Sequence, residues 1–217
     1  MNIFLAITIC LIPIITSLIC LKLLMEDFKI LHGTLGCVLG LLTIVPIVSI
    51  QALLTNTGKF SADTLTGKFF EDLFINGMIE ELFKMALLFI LPVTKMSMAS
   101  FFACSVLSGL TLGCFETLVY LVSGGVSLLG PRLLTAVVIH SCCAGLSGLF
   151  VFNAKWRAFK ILPFIMAVAL HGLYDYFAGF KTDTPFYYFS FAVILIAIVE
   201  CRIRYRAMTP DGCLKFE

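Results

Sequence analysis

The run MNIFLAITICLIPIITSLICL opens the chain with 21 residues and no charged side chain. That is about what an α-helix needs to cross a bilayer core. It has no basic n-region and no small-residue cleavage site, so it reads as a retained first span rather than a removed signal. In hydrocarbon every backbone N–H and C=O must be satisfied within the protein, which leaves helices and closed barrels as spanning structures. Runs of this length point to helices.

Comparable apolar runs recur along the 217 residues. Seven helices are predicted, over roughly 2–24, 30–54, 69–91, 97–122, 132–153, 158–180 and 185–200. The breaks between them are MEDFK, TNTGKFSADTLTGK, PVTK, SGGVSLLGP, AKWRAFK and GFKTDTP. Composition agrees, with 60% hydrophobic and only 13% charged residues, where soluble domains carry about 25% charged. The expected fold class is all-α, a polytopic transmembrane helical bundle. Residues 1–217 form a single domain, because no polar stretch is long enough to build a second. A net charge of +2 argues against a nucleic-acid partner. Lipid is the surrounding medium.

Basic residues orient the bundle. With the N-terminus outside, ten fall on the inner side, among them Lys155, Arg157, Lys160, Arg202, Arg204 and Arg206. Four fall outside: Lys59, Lys68, Arg132 and Lys181. The expectation is N-terminus out and C-terminus cytoplasmic, in a cell membrane, the inner one if the source is bacterial. The cysteines show no CxxC pair, and those inside apolar runs, such as Cys10, Cys20, Cys37 and Cys143, read as buried thiols.

Against this background, NGMIEELFKMALLF (76–89) is anomalous, since it places Glu80, Glu81 and Lys84 inside a span. Each charge near the bilayer centre costs about 2.5–3.5 kcal/mol. Other spans carry Glu116, His140, His171 and Asp175. At 1.5 Å per residue from the outer helix ends, Glu80 lies about 16 Å deep, Glu116 about 9 Å, His140 about 12 Å, His171 about 13 Å and Asp175 about 8 Å. Ionisable groups from four helices therefore reach one layer in the outer half of the membrane. Lys84 lies at i+4 from Glu80 and i+3 from Glu81 and can pair with either. His171 and Asp175 share a face, and Glu116 shares one with Gly109 and Gly113, which allow close helix approach.

Lys84 neutralises one of four carboxylates, so the others require protons, histidinium partners or a bound cation. Two hydrolytic chemistries fit. A carboxylate acts as general base on water while His and Asp stabilise an oxyanion. Alternatively, His140, His171 and glutamates, Glu80 and Glu116 among them, hold Zn²⁺. A proton- or cation-coupled transporter or channel is the competing class, since intramembrane Glu, Lys and His also build proton relays. Against it, the chain lacks an internal repeat and a second charged cluster near the inner face.

EELFK (80–84) resembles the EExxK motif of PrsW-type intramembrane proteases, part of the superfamily of CAAX-processing and bacteriocin-processing membrane proteases. GLTLGCFET, VVIHSCCAGLSG and ALHGLYDY are similar to the family's further motifs, in order, between about 76 and 179. The first two and the last spans carry no signature; the catalytic helices are expected within about 69–180. Glu116 stands where CAAX-type relatives tend to have His, which favours the PrsW type. The resemblance implies a glutamate-dependent or metal-dependent endopeptidase. It implies water activation at Glu80, positioning by Glu81 and Lys84, and metal or oxyanion binding by His140, His171 and Asp175. It also implies a single-span membrane protein substrate, such as an anti-sigma factor, cut near the outer leaflet.

Overall fold

The computed structural model describes residues 3–56, 64–124 and 129–208, and all regular structure among them is helical. Two long helices come first, α1 (Ile3–Leu24) and α2 (Ile30–Asn56). A composite segment follows: α3 (Leu65–Phe70), a π-helical stretch (Glu71–Met78) and α4 (Ile79–Leu88). Then come α5 (Met98–Gly124), the short α6 (Leu129–Leu134), α7 (Ala136–Lys155), α8 (Leu162–Ala178) and α9 (Pro185–Met208). The centres of the TNTGKFSADTLTGK and SGGVSLLGP breaks lie outside the described residues.

Five stretches among the described residues are long and apolar enough to cross a membrane: 7–24, 30–54, 98–121, 130–155 and 185–208. The other two expected helices take different forms. The helix α8 has 17 residues. The expected 69–91 helix is interrupted by eight π-helical residues, EDLFINGM. This stretch carries Glu71, Asp72, Asn76 and Gly77, so it lacks the uniform apolar face that favours regular α-geometry. Such π segments recur at functional sites, and this one ends two residues before Glu80.

The helices α5 and α7 form the centre, with 78% and 89% of their spans buried against 11% and 22% for the first two spans. Around them, α5 packs on α2 and α1, while α8 packs on the π segment, α7 and α9. Small residues set the two crossings that matter for the site. A Cβ on Gly113 of α5 would lie 2.8 Å from Val137 Cα and 3.1 Å from the His140 ring. A Cβ on Gly77 would lie 2.8 Å from Gly172 N, and one on Gly172 would lie 2.6 Å from Leu73 Cα. The backbones therefore touch, which small residues allow in membranes. Among the cysteines, Cys10 and Cys143 are buried as expected, but Cys37 is half-buried and Cys20 faces outward from α1.

Candidate active site

Glu81 is fully buried on α4, and three groups from three elements hold it. Lys84 Nζ donates to its Oε1 at 2.6 Å, Ser147 Oγ of α7 donates to its Oε2 at 2.8 Å, and His171 Nδ1 of α8 meets Oε1 at 2.9 Å. Of the two carboxylates within reach of Lys84, the structure pairs it with Glu81. Lys84 Nζ also lies 3.1 Å from His140 Nδ1 of α7.

These partners determine both imidazole tautomers. A carboxylate only accepts and an ammonium only donates. His140 Nε2 bonds Glu116 Oε2 of α5, so Nε2 carries the hydrogen and Nδ1 the lone pair facing Lys84. His171 Nδ1 bonds Glu81, so its lone pair is on Nε2. The rings meet edge to face, with centroids 4.7 Å apart.

Both nitrogens lie near Glu80. Its Oε2 lies 3.7 Å from His140 Nδ1 and 3.6 Å from His171 Nε2. Asp175 Oδ2 stands 3.6 Å from the same His171 nitrogen. These separations are too long for hydrogen bonds. Four acceptor atoms converge, and Lys84, bonded to Glu81, also lies within reach of His140 Nδ1.

The remaining charges pair off. Arg132 of α6 bonds Glu116 Oε1 at 2.8 Å and lies 3.7 Å over the Tyr120 ring. Lys84 offsets Glu81 and Arg132 offsets Glu116, which leaves the surplus negative charge on Glu80 and Asp175. All seven residues singled out in the sequence thus meet in one cluster. Sequence reasoning missed Gln51 of α2, whose Nε2 donates to Glu80 Oε1 at 3.2 Å. It is the only glutamine in the chain, and its place in an otherwise apolar run was the available signal. Arg132 reads from the sequence only as an outer charge.

Glu80, Glu116 and Asp175 open on a cavity of about 360 Å³. Its other walls are Ile44, Ile47, Val48 and Gln51 of α2, Asn76 of the π segment, and Leu112, Val119 and Tyr120 of α5. One ligand atom each from Glu80, His140 and His171 lies within 4.8 Å of the others. Zinc bonds of about 2.0–2.1 Å place tetrahedral ligands roughly 3.4 Å apart, close to the 3.7 and 3.6 Å between Glu80 Oε2 and the two histidine nitrogens. Both imidazoles hand their far nitrogen to a carboxylate, the outer-shell arrangement that orients histidine ligands. The donor set therefore fits a divalent metal. Glu116, expected among the ligands, sits on the far nitrogen of His140 instead.

A Glu–His–His group inside a bundle with five helices long and apolar enough to cross a membrane marks a multi-pass membrane protein with a candidate metal centre. The model of the PrsW family of intramembrane metalloproteases matches residues 29–199, and the chain belongs to that family. Neither the curated proteins nor the solved structures gave a match.

Proposed function

We propose that the protein is an intramembrane endopeptidase that hydrolyses a peptide bond of a single-span, membrane-anchored protein near the outer leaflet. The observation that carries this reading is the convergence of Glu80 Oε2, His140 Nδ1 and His171 Nε2, with no hydrogen bond between Glu80 and either ring, where Glu80 and Asp175 line a cavity with both apolar and polar walls. Glu80, His140 and His171 would hold a divalent metal such as zinc. Bound there, zinc supplies Lewis acidity toward the scissile carbonyl.

The chain's own groups do the rest. Glu81 fixes the His171 ring through Nδ1, and Glu116, steadied by Arg132, fixes His140 through Nε2. Asp175 faces the cavity beside His171. It takes the proton of the attacking water and returns it to the departing amine. This assigns proton transfer to Asp175 and ligation to Glu80, the residue to which the family resemblance gives water activation. The apolar part of the lining, Ile44, Ile47, Val48, Leu112 and Val119, accepts apolar substrate side chains. The N-terminus lies outside and the C-terminus in the cytoplasm, which brings the cluster to the outer half of the cell membrane.

The test is cleavage of a single-span peptide by purified protein in liposomes. Wild-type protein cleaves, and Glu80→Gln does not. Cleavage by Glu80→Gln at the wild-type rate, or no cleavage by wild-type protein of any single-span peptide in a panel, overturns the reading.

A further inference from the structure

Two helices that touch at one end diverge toward the site. Gly36 and Gly40 of α2 lie backbone to backbone with α5. A Cβ on Gly36 would come 2.5 Å from Cys104 O, and one on Gly40 would overlap Ser108 O. Beyond this contact the cavity separates the two helices. On α2 it is lined by Ile44, Ile47, Val48 and Gln51, spaced i, i+3, i+4 and i+7, a single helical face. On α5 it is lined by Leu112, Glu116, Val119 and Tyr120, also one face. The result is a wedge that begins beyond the Gly36 and Gly40 contact and is lined on both helices as far as Gln51 and Tyr120.

The wedge joins the lipid-facing surface to the acceptor cluster. At its rim Val48 is 58% exposed and Val119 60%, on helices whose outward faces are apolar. At its floor stand Glu80 and Asp175. From Ile44 to Gln51 the α2 wall rises about 10 Å, the length of roughly three residues of extended chain. A peptide bond inside a helix has its carbonyl bonded to an N–H four residues on and screened by side chains. Only unwound backbone offers its carbonyl to the cluster.

We propose that this α2–α5 cleft is the lateral entrance and binding groove for an extended, apolar segment of the substrate's own membrane span. The inference rests on the endopeptidase reading and names where and in what conformation its substrate binds. Continuity between the lipid-facing rim and the catalytic floor selects this occupant. A soluble peptide has no need of a rim that opens on lipid, whereas a span diffusing in the bilayer meets that rim first. Segments with a helix-breaking Gly or Pro near the outer end of the span are the preferred substrates, because they unwind at least cost.

The test places a photo-crosslinking side chain at Val48, at Val119 and, as a control on a distant exposed face, at Leu195 of α9 (63% exposed). The Glu80→Gln background holds substrate without cutting it. A single-span peptide is expected to form adducts from positions 48 and 119 and none from 195. In otherwise wild-type protein, Val48→Trp and Val119→Trp fill the cleft and slow cleavage by about tenfold or more, while Leu195→Trp leaves it unchanged. Adducts at 195 but not at 48 or 119, or full cleavage by both cleft variants, overturn the entrance while the endopeptidase reading stands. Wild-type protein that cleaves no single-span peptide fails the endopeptidase reading itself.

Discussion

Glu80 and Glu81 are neighbours in sequence and opposites in environment. Glu81 is fully buried and bonded to Lys84, Ser147 and His171, whereas Glu80 faces the cavity with Oε2 3.7 Å from His140 Nδ1 and 3.6 Å from His171 Nε2. Their consequences on substitution should separate. Glu80→Gln is expected to keep the fold and the thermal transition while abolishing cleavage. Glu81→Gln leaves the Lys84 ammonium buried without its partner, at a cost of about 3–5 kcal/mol. Thermal unfolding in detergent reads the difference, and equal stability of the two variants would contradict it.

The buried pair can be removed whole. Replacing both partners, as Glu81→Gln with Lys84→Met, removes the stranded charge, so the double variant should regain most of the stability that the single variant loses. It should remain inactive, because His171 loses the carboxylate that orients it. A double variant no more stable than Glu81→Gln would show that the pair does not act as a unit.

Ligation and proton transfer are assigned to different residues, and metal content distinguishes them. His171→Ala is expected to lose both cleavage and bound zinc, with chelated wild-type protein inactive until zinc returns. Asp175→Asn should lose cleavage by about 100-fold or more, within the range for a missing general base, while retaining zinc. Elemental analysis alongside turnover decides it. Unaltered zinc in His171→Ala removes that residue from the ligand set.

The Gly77–Gly172 crossing has no room for a methyl group. Gly172→Ala places a Cβ 2.6 Å from the Leu73 backbone and pushes α8 off the π segment. We expect a loss of about 1–3 kcal/mol and a larger loss of activity, since His171 and Asp175 move with the helix. Gly130→Ala, whose Cβ would meet nothing within 4 Å, should be silent in both assays.

Topology is tested directly. A reporter fused after Glu217 should read as cytoplasmic and one fused before Met1 as external. Both on the same side would require an even number of crossings and a revised path for α8 or for the Leu65–Leu88 segment.

What could be read from the sequence follows from how much each feature costs in lipid. Glu80, Glu81, Lys84, Glu116, His140, His171 and Asp175 stood out because an intramembrane charge is expensive, and their common depth followed from counting along helices. Gln51 was overlooked because a lone neutral amide near a helix end disturbs neither hydropathy nor charge balance. Arg132 sits beyond a break, so its pairing with Glu116 depended on a fold-back through α6 that no spacing encodes. The π stretch was invisible because hydropathy does not distinguish an i+5 ladder from an i+4 one. The balance of four carboxylates against one lysine also changed once Arg132 entered the cluster.

The Glu81–Lys84 pair also bears on biosynthesis. Its members sit three residues apart on one helix, at 2.6 Å. They can therefore meet as soon as that helix forms, before α7 or α8 has been made. A nascent segment carrying three separate charges would face about 8–10 kcal/mol on entering the bilayer. With the pair closed, the segment enters as a near-neutral helix with Glu80 alone uncompensated. His140 and His171 arrive later in translation, on α7 and α8. The order of synthesis thus delivers the carboxylate first and its two nitrogen partners afterwards, so the centre is completed only when the penultimate described helix docks.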